Sequence, residues 1–285
     1  MSAQLITSEL RRWIVDQATA GHSPETVLAA MKASGWDEDV AIAAMESTLA
    51  RHLQRPEAAA AAANESGRPV PGASISASTP LLRCADREVK VLMAMASPRV
   101  VVFGDLVSET ECAELIELAR ERLVRSETVE VETGSSTVNE ARTSDGMFFD
   151  PGEFPVCARV EKRIASLLGW PLENGEGLQI LRYGPGAEYR PHYDYFDPAE
   201  PGTPTILKRG GQRVASLVCY LNTPEAGGAT VFPDAGLDVA PVRGNAVFFS
   251  YDRAHPSTRT LHGGAPVTAG EKWVATKWMR EGRFE

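Results

Sequence analysis

Residues 189–196 read Tyr-Arg-Pro-His-Tyr-Asp-Tyr-Phe, a short aromatic-rich run that is typical of a β-strand and contains a His-x-Asp triplet. Successive side chains of a strand point to opposite faces, so His192 and Asp194 are predicted to point the same way. An imidazole nitrogen and a carboxylate oxygen on one face supply two of the ligands of a 2-His-1-carboxylate metal site. The triplet therefore predicts part of a metal centre built on β-structure.

The remaining histidine ligand must come from elsewhere, and two histidines, His255 and His262, follow the triplet in the chain. His262 begins a Gly-Gly-Ala-Pro segment that is typical of a strand end and a tight turn. The next strand starts near Lys272, which would share one strand face with Thr276 and Trp278. The residues alone leave the choice between the two histidines open.

Lys272 is unusual if its side chain faces the interior of a small barrel. A buried ammonium loses most of its hydration, so this placement is costly unless an anion meets it. The distal carboxylate of 2-oxoglutarate would supply that anion, whereas an amine in water at a strand start would need no partner.

The region from residue 80 onward combines short β-like runs with two helical patterns. The first helix opens with the capping box Ser108-x-x-Glu111, and the second carries Val156, Val160 and Ile164 on one face. The β-like runs, rich in β-branched and aromatic residues, are Glu88–Met95, Val100–Phe103, Leu178–Tyr183, Tyr189–Phe196, Arg213–Leu221, Ala246–Tyr251 and Lys272–Met279. Many short strands with two early helices predict an α+β fold, a jelly-roll barrel flanked by helices.

The chain ahead of this barrel has a different character. Residues 1–52 carry three amphipathic helical patterns, which predict a small all-α three-helix module that resembles the ubiquitin-associated type. A partner-binding, self-associating or simple packing role fits such a module. Residues 53–79 contain six consecutive alanines and then glycines, prolines and serines, which predicts a linker, and residues 80–285 form the barrel domain.

Composition narrows the possible partners and surroundings. The net charge is −9 and the four cysteines are far apart, so we expect no nucleic-acid partner and reduced thiols. Charged residues interrupt the apolar positions of the first thirty residues, so we expect neither a signal peptide nor a membrane span, and a cytoplasmic protein.

The motifs described above, with Tyr183-Gly184-Pro185-Gly186 and the segment 227–232, resemble the catalytic domain of the prolyl 4-hydroxylase alpha subunit, a 2-oxoglutarate/Fe(II)-dependent dioxygenase family. The resemblance covers roughly residues 80–285. It implies a double-stranded β-helix, the jelly-roll core of these oxygenases.

The resemblance also assigns site residues. It implies that His192, Asp194 and His262 are the catalytic iron ligands, that His255 is not a ligand, and that Lys272 pairs with the C5 carboxylate of 2-oxoglutarate. Further roles that it implies are co-substrate binding by Tyr183 and Thr230 and contact with the prime substrate by Tyr189, Arg213 and Trp278.

Three functions from different classes follow. The favoured one is hydroxylation of a prolyl residue in a protein or peptide, with Fe(II), 2-oxoglutarate and O2 as cofactors, ascorbate as reductant, and succinate and CO2 as co-products. The same chemistry on a free amino acid or a secondary metabolite is the first alternative, and a non-catalytic binding module with a degenerate iron site is the second. The polar segment 126–144 is predicted to be either a mobile lid over the site or an ordinary exposed loop.

Overall fold

The structure is a computed structural model, and the residues that it describes are 6–19, 22–49, 70–72, 80–126, 128–129, 136–137 and 142–285. The chain divides into two compact units, Met1–Ser66 and Gly67–Glu285. Most of the predicted linker and of the predicted lid lies outside the described residues, so both stay predictions. Val70 packs against the core of the second unit, which therefore begins before the predicted boundary at residue 80.

The first unit contains the three predicted helices. They are α1 Ser8–Thr19, α2 Pro24–Ala33 and α3 over 38–49. Ser23 caps α2 by accepting the N–H of Thr26, and Asp37 accepts the N–H of Asp39 at the start of α3. The apolar faces meet in a small core of Ile14, Val27, Met31, Ala41, Ala44 and Met45.

The second unit combines three helices with seventeen strands within the described residues. The helices are α4 Glu109–Arg120, α5 Pro155–Leu168 and α6 Thr203–Ile206. The first half of the strands is β1 Leu81–Arg83, β2 Glu88–Met95, β3 Arg99–Gly104, β4 Val124–Arg125, β5 Thr128–Val129, β6 Ser136–Thr137, β7 Asp145–Phe148, β8 Gln179–Tyr183 and β9 Tyr189–His192. The second half is β10 Arg213–Tyr220, β11 Ala226–Gly227, β12 Thr230–Phe232, β13 Leu237–Val239, β14 Ala246–Ser250, β15 His262–Gly264, β16 Val267–Ala269 and β17 Lys272–Arg280.

Two antiparallel sheets form the barrel. The major sheet has the strand order β1-β2-β3-β14-β10-β17-β8-β7-β4, and the minor sheet has the order β13-β12-β15-β9. Apolar side chains from both sheets, such as Tyr220 of the major and Phe232 of the minor sheet, pack into one interior. This is the jelly-roll core that the sequence predicted.

The outer face of the major sheet packs against α4 and α5. Leu115 on α4 and Val160 on α5 are fully buried in a core that also contains Phe248 and Trp273 of the sheet. The predicted capping box is present at the start of α4, where Ser108 and Glu111 exchange hydrogen bonds. All four cysteines are free, and no described helix is both long and apolar enough to cross a membrane.

A buried ionic network joins the two helices. Arg163 on α5 is 2% exposed and donates hydrogen bonds to the carboxylates of Asp86 and Glu111 and to the carbonyl of Leu106. Glu111 is buried as well, so each charge offsets the dehydration cost of the other. The network therefore fixes how α5 lies against the start of α4.

Replacing Arg163 with Met should lower the free energy of unfolding by about 3–5 kcal/mol, because it leaves buried carboxylate oxygens without their donors. Arg83→Met is the control: Arg83 is exposed and pairs with Glu88 at the surface, so its loss should cost less than about 1 kcal/mol. Urea unfolding followed by circular dichroism measures both values. Equal losses for the two variants would contradict this role of Arg163.

Candidate active site

His192 and His262 lie side by side on the minor sheet. β9 ends at His192 and β15 begins at His262, and the two residues are direct partners in the antiparallel register. The centroids of their rings are 4.4 Å apart. Strand pairing therefore brings two histidines that are distant in sequence into one cluster.

Asp194 joins this pair, although not for the predicted reason. The strand that was predicted to continue through Phe196 ends at His192, so strand alternation does not position the carboxylate. Instead, Asp194 Oδ2 accepts a hydrogen bond of 2.6 Å from Ser216 Oγ on β10, and that hydroxyl lies 3.3 Å from Tyr251 Oη. Contacts with the major sheet thus set the position of the third group.

The three groups are close enough to share one metal ion. One nitrogen or oxygen from each of His192, Asp194 and His262 lies within 4.8 Å of the others. His192 Nε2 is 3.5 Å from Asp194 Oδ1, and His262 Nε2 is 3.4 Å from Asp194 Oδ2. His262 and Asp194 are buried, and His192 is partly exposed.

Hydrogen bonds to backbone carbonyls determine which imidazole nitrogen is available. His192 Nδ1 lies 2.9 Å from the carbonyl oxygen of Arg190, and His262 Nδ1 lies 3.0 Å from that of Thr260. A carbonyl can only accept, so Nδ1 carries the proton in each ring and Nε2 presents a lone pair. Two lone pairs facing a carboxylate repel it unless a cation lies between them. The donor set therefore fits a divalent metal such as Fe(II).

The charges in the cluster favour the protonation states that bind metal. Burial alone would raise the pKa of Asp194, but its two imidazole neighbours, His262 and His192, outweigh that effect and hold the pKa well below its usual value. Burial and the neighbouring His262 lower the pKa of His192. The carboxylate is thus ionised and the His192 ring neutral near neutral pH, as metal ligation requires.

The predicted co-substrate residues form a second group. Lys272 and Tyr183 are partners in the register of β17 and β8, and the Lys272 Nζ lies 5.4 Å from the centre of the Tyr183 ring. Tyr220, which the sequence did not single out, connects this group to Thr230: its ring lies 5.7 Å from Lys272 Nζ, and its hydroxyl donates to Thr230 Oγ1 at 2.8 Å.

Lys272 faces the barrel interior, as predicted, and is 4% exposed. Within the described part of the chain it forms no ion pair, and burial lowers its pKa to about 8. A Cβ added at Gly264, two residues after His262, would lie 3.9 Å from its Nζ. The unpaired ammonium therefore lies beside the strand that carries His262, and this arrangement fits an anion that reaches from the metal to the lysine.

The three predicted substrate residues border the same region. The Tyr189 ring stacks on the His192 ring with centroids 3.7 Å apart. The guanidinium of Arg213 lies 3.9 Å from the centre of the Trp278 ring, and its Nε and Nη2 donate to the Glu176 carboxylate at 2.7 and 2.8 Å. Arg213 is therefore already paired with a carboxylate, which the sequence analysis did not foresee.

His255 is not part of the metal cluster. Its Nδ1 accepts the N–H of Ser257 at 3.0 Å and caps the short helical turn Pro256–Thr258. The site residues that the sequence missed act through other residues: Ser216 through Asp194, Tyr251 through Ser216, Tyr220 through Thr230 and Glu176 through Arg213. No local motif marks them, because each contact joins elements that are distant in sequence.

The metal assignment predicts a contrast between the two downstream histidines. His262→Ala should weaken Co(II) binding by more than about 100-fold, because loss of a ligand should exceed the effect of losing a group that merely orients one. His255→Ala should bind as the unmodified protein does. Absorbance titration with Co(II), with melting temperatures to confirm folding, measures both. Equal affinities for the two variants would reject His262 as a ligand.

Comparisons with known proteins agree with this geometry. The model of the 2OG-Fe(II) oxygenase superfamily matches residues 178–280. Prolyl 4-hydroxylase 1 of Arabidopsis thaliana is 42% identical over 211 residues, which cover 68% of this chain and 72% of the relative. Prolyl 4-hydroxylase 2 of the same plant is 37% identical over 219 residues, with coverages of 69% and 72%.

A solved structure shows the same fold. A truncated form of viral collagen prolyl hydroxylase vCPH from Paramecium Bursaria Chlorella virus-1 aligns with a TM-score of 0.50 at 28% identity, over 70% of this chain and 96% of that one. The matched segment 178–280 contains the metal cluster and Lys272. The chain therefore belongs to the prolyl 4-hydroxylase family of 2-oxoglutarate- and Fe(II)-dependent dioxygenases.

Proposed function

We propose that this enzyme hydroxylates a prolyl residue in a protein or peptide. The observation that carries the proposal is the placement of an unpaired, buried Lys272 beside the strand of a His-Asp-His cluster. The relatives named as prolyl 4-hydroxylases support the prolyl substrate. A degenerate binding module would not need all three metal-ligating groups and a dehydrated lysine together.

The roles of the residues follow from their contacts. His192, Asp194 and His262 would hold Fe(II), which together with 2-oxoglutarate and O2 supplies the oxidising chemistry. Ser216 keeps the Asp194 carboxylate oriented, and the backbone carbonyls of Arg190 and Thr260 keep each Nε2 turned to the metal.

The co-substrate and the substrate would be held by different groups. Lys272 would bind the distal carboxylate of 2-oxoglutarate, and Thr230, whose oxygen accepts from Tyr220, can still donate its own proton to it. Tyr189, which stacks on His192, and Trp278, against which Glu176 holds Arg213, would border the prolyl ring of the substrate. We also propose ascorbate as the reductant that keeps the iron in its ferrous state.

The test of this function is a coupled assay with the full-length protein. Fe(II), 2-oxoglutarate, ascorbate and a proline-rich peptide should give succinate together with a peptide that has gained one oxygen atom. His192→Ala should lower both products at least about 100-fold, whereas His255→Ala should leave both unchanged. Hydroxylation of free proline but not of the peptide would instead select the free amino acid alternative. Equal substrate-coupled succinate from the two variants would refute the proposal.

The pKa of Lys272 predicts how 2-oxoglutarate binding depends on pH. Because that pKa is lowered to about 8 by burial, the amine is charged below pH 8 and neutral above it. The bound dicarboxylate favours the charged form, so above pH 8 binding must take up a proton. Affinity should therefore be constant below pH 8 and fall by up to about tenfold for each further pH unit.

Lys272→Arg provides the control, because a guanidinium keeps its charge throughout this range. Its affinity should show no fall between pH 8 and 10, which calorimetric titration of 2-oxoglutarate into the Zn(II)-loaded proteins can measure. A pH-independent affinity in the unmodified protein would remove Lys272 as the partner of the carboxylate.

A separate proposal concerns the three N-terminal helices. We propose that the three-helix unit recruits a partner or a second copy of the chain. Removal of residues 1–66 should then change either the oligomeric state or the rate on the native protein target, while the rate on a short peptide stays the same. If neither the oligomeric state nor the rate on the native target changes, the proposal is discarded.

A further inference from the structure

A cleft of about 440 Å³ lies on the second unit between the β2–β3 turn, the end of β14 and the loop that follows. Its lining includes Ser97, Arg99, Ser250, Asp252, Arg253 and Thr258. The volume falls within the range of small-molecule sites. Neither Lys272 nor any of the three metal-ligating residues lines it, so this space is separate from the candidate active site.

Two buried hydrogen-bond donors in the cleft lack partners. Ser250 and Arg99 are direct neighbours in the antiparallel register of β14 and β3, so their side chains lie on the same face. Ser250 is 3% exposed, and among the described residues neither its Oγ nor the Nε of Arg99 has a hydrogen-bond partner. Buried polar atoms are normally bonded, so this pair indicates a missing acceptor.

The charged residues that line the cleft indicate that the missing acceptor is an anion. Arg253 and Asp252 satisfy each other through two hydrogen bonds of 2.9 and 2.7 Å. Arg99 donates through Nη2 to the carbonyl of Gly72 and has no carboxylate partner in the described part of the chain. Burial lowers the pKa of Arg99, and no anion among these residues opposes that effect. The cleft therefore carries one positive charge in excess.

We propose that this cleft binds a small oxyanion, either the phosphate or the carboxylate group of an organic molecule. The planar guanidinium of Arg99 can donate through Nε and a terminal nitrogen to two oxygens of one anion, and Ser250 Oγ can donate to a third atom of the same ligand. The rest of the molecule would occupy the remaining volume of the cleft, where it would contact the hydroxyls of Ser97 and Thr258.

The site borders two hydrogen-bond paths to the metal cluster. Tyr251, which also lines the cleft, lies 3.3 Å from Ser216, the donor to Asp194. Thr258 Oγ1 lies 3.0 Å from the hydroxyl of Thr260, whose carbonyl orients His262. An anion held by Arg99 would thus sit next to the residues that orient two of the metal-ligating groups.

Calorimetric titration of the full-length protein tests the proposal, with inorganic phosphate as one probe and glutarate as the other. Phosphate, glutarate or both should bind saturably, and Arg99→Gln should weaken that binding by at least about tenfold because it removes the charge and the bidentate geometry. Ala96→Trp should weaken it similarly by filling the cleft, since Ala96 is exposed at its edge.

Lys272→Met separates this site from the co-substrate site. Whichever probe binds the cleft should still bind it in Lys272→Met, so a loss there that Arg99→Gln does not share would place the anion at Lys272 and overturn the proposal. Saturable binding of one probe alone identifies the ligand as a phosphate or a carboxylate. The proposal also fails if neither probe binds, or if Arg99→Gln and Ala96→Trp, with unchanged melting temperatures, bind as tightly as the unmodified protein.

Discussion

The burial of the Asp194 carboxylate between two imidazoles is the constraint on which this barrel depends. An ionised carboxylate inside an apolar core is very costly unless surrounding groups compensate for its lost hydration. The hydroxyl of Ser216 on β10 supplies one hydrogen-bond donor, and a cation held between the carboxylate, His192 of β9 and His262 of β15 would supply the rest. Closing the two sheets against each other and assembling the metal site are therefore the same structural event.

The same principle explains the second group. Lys272 is dehydrated without a counter-charge in the described chain, whereas Arg213, which is largely buried, is matched by Glu176. The charge of Arg213 is thus matched within the described chain, whereas that of Lys272 is not. On the proposed function, this difference would separate a residue that maintains the pocket from one that binds the co-substrate, although both are basic residues on adjacent strands of one sheet.

The sequence predicted the parts of the fold and site that follow local rules. The capping box at Ser108 and the jelly-roll architecture follow from spacing and periodicity, the family resemblance implied a buried partner for Lys272, and the structure has the cap, the barrel and a buried Lys272. The strand predicted over Tyr189–Phe196 ends at His192, because the aromatic pattern continues after the strand pairing stops. The pairing of Arg213 with Glu176 could not be predicted, because the two residues are 37 positions apart and only the folded sheet brings them together.

The register between His192 and His262 has a consequence for stability in cells. A metal bound by both histidines would cross-link two short strands of the minor sheet that are otherwise held together by a few backbone hydrogen bonds. Because such a metal binds the native chain far better than the unfolded one, its concentration adds to folding stability by mass action. The steady-state abundance of the protein would then depend on the iron supply, apart from any effect of iron on turnover.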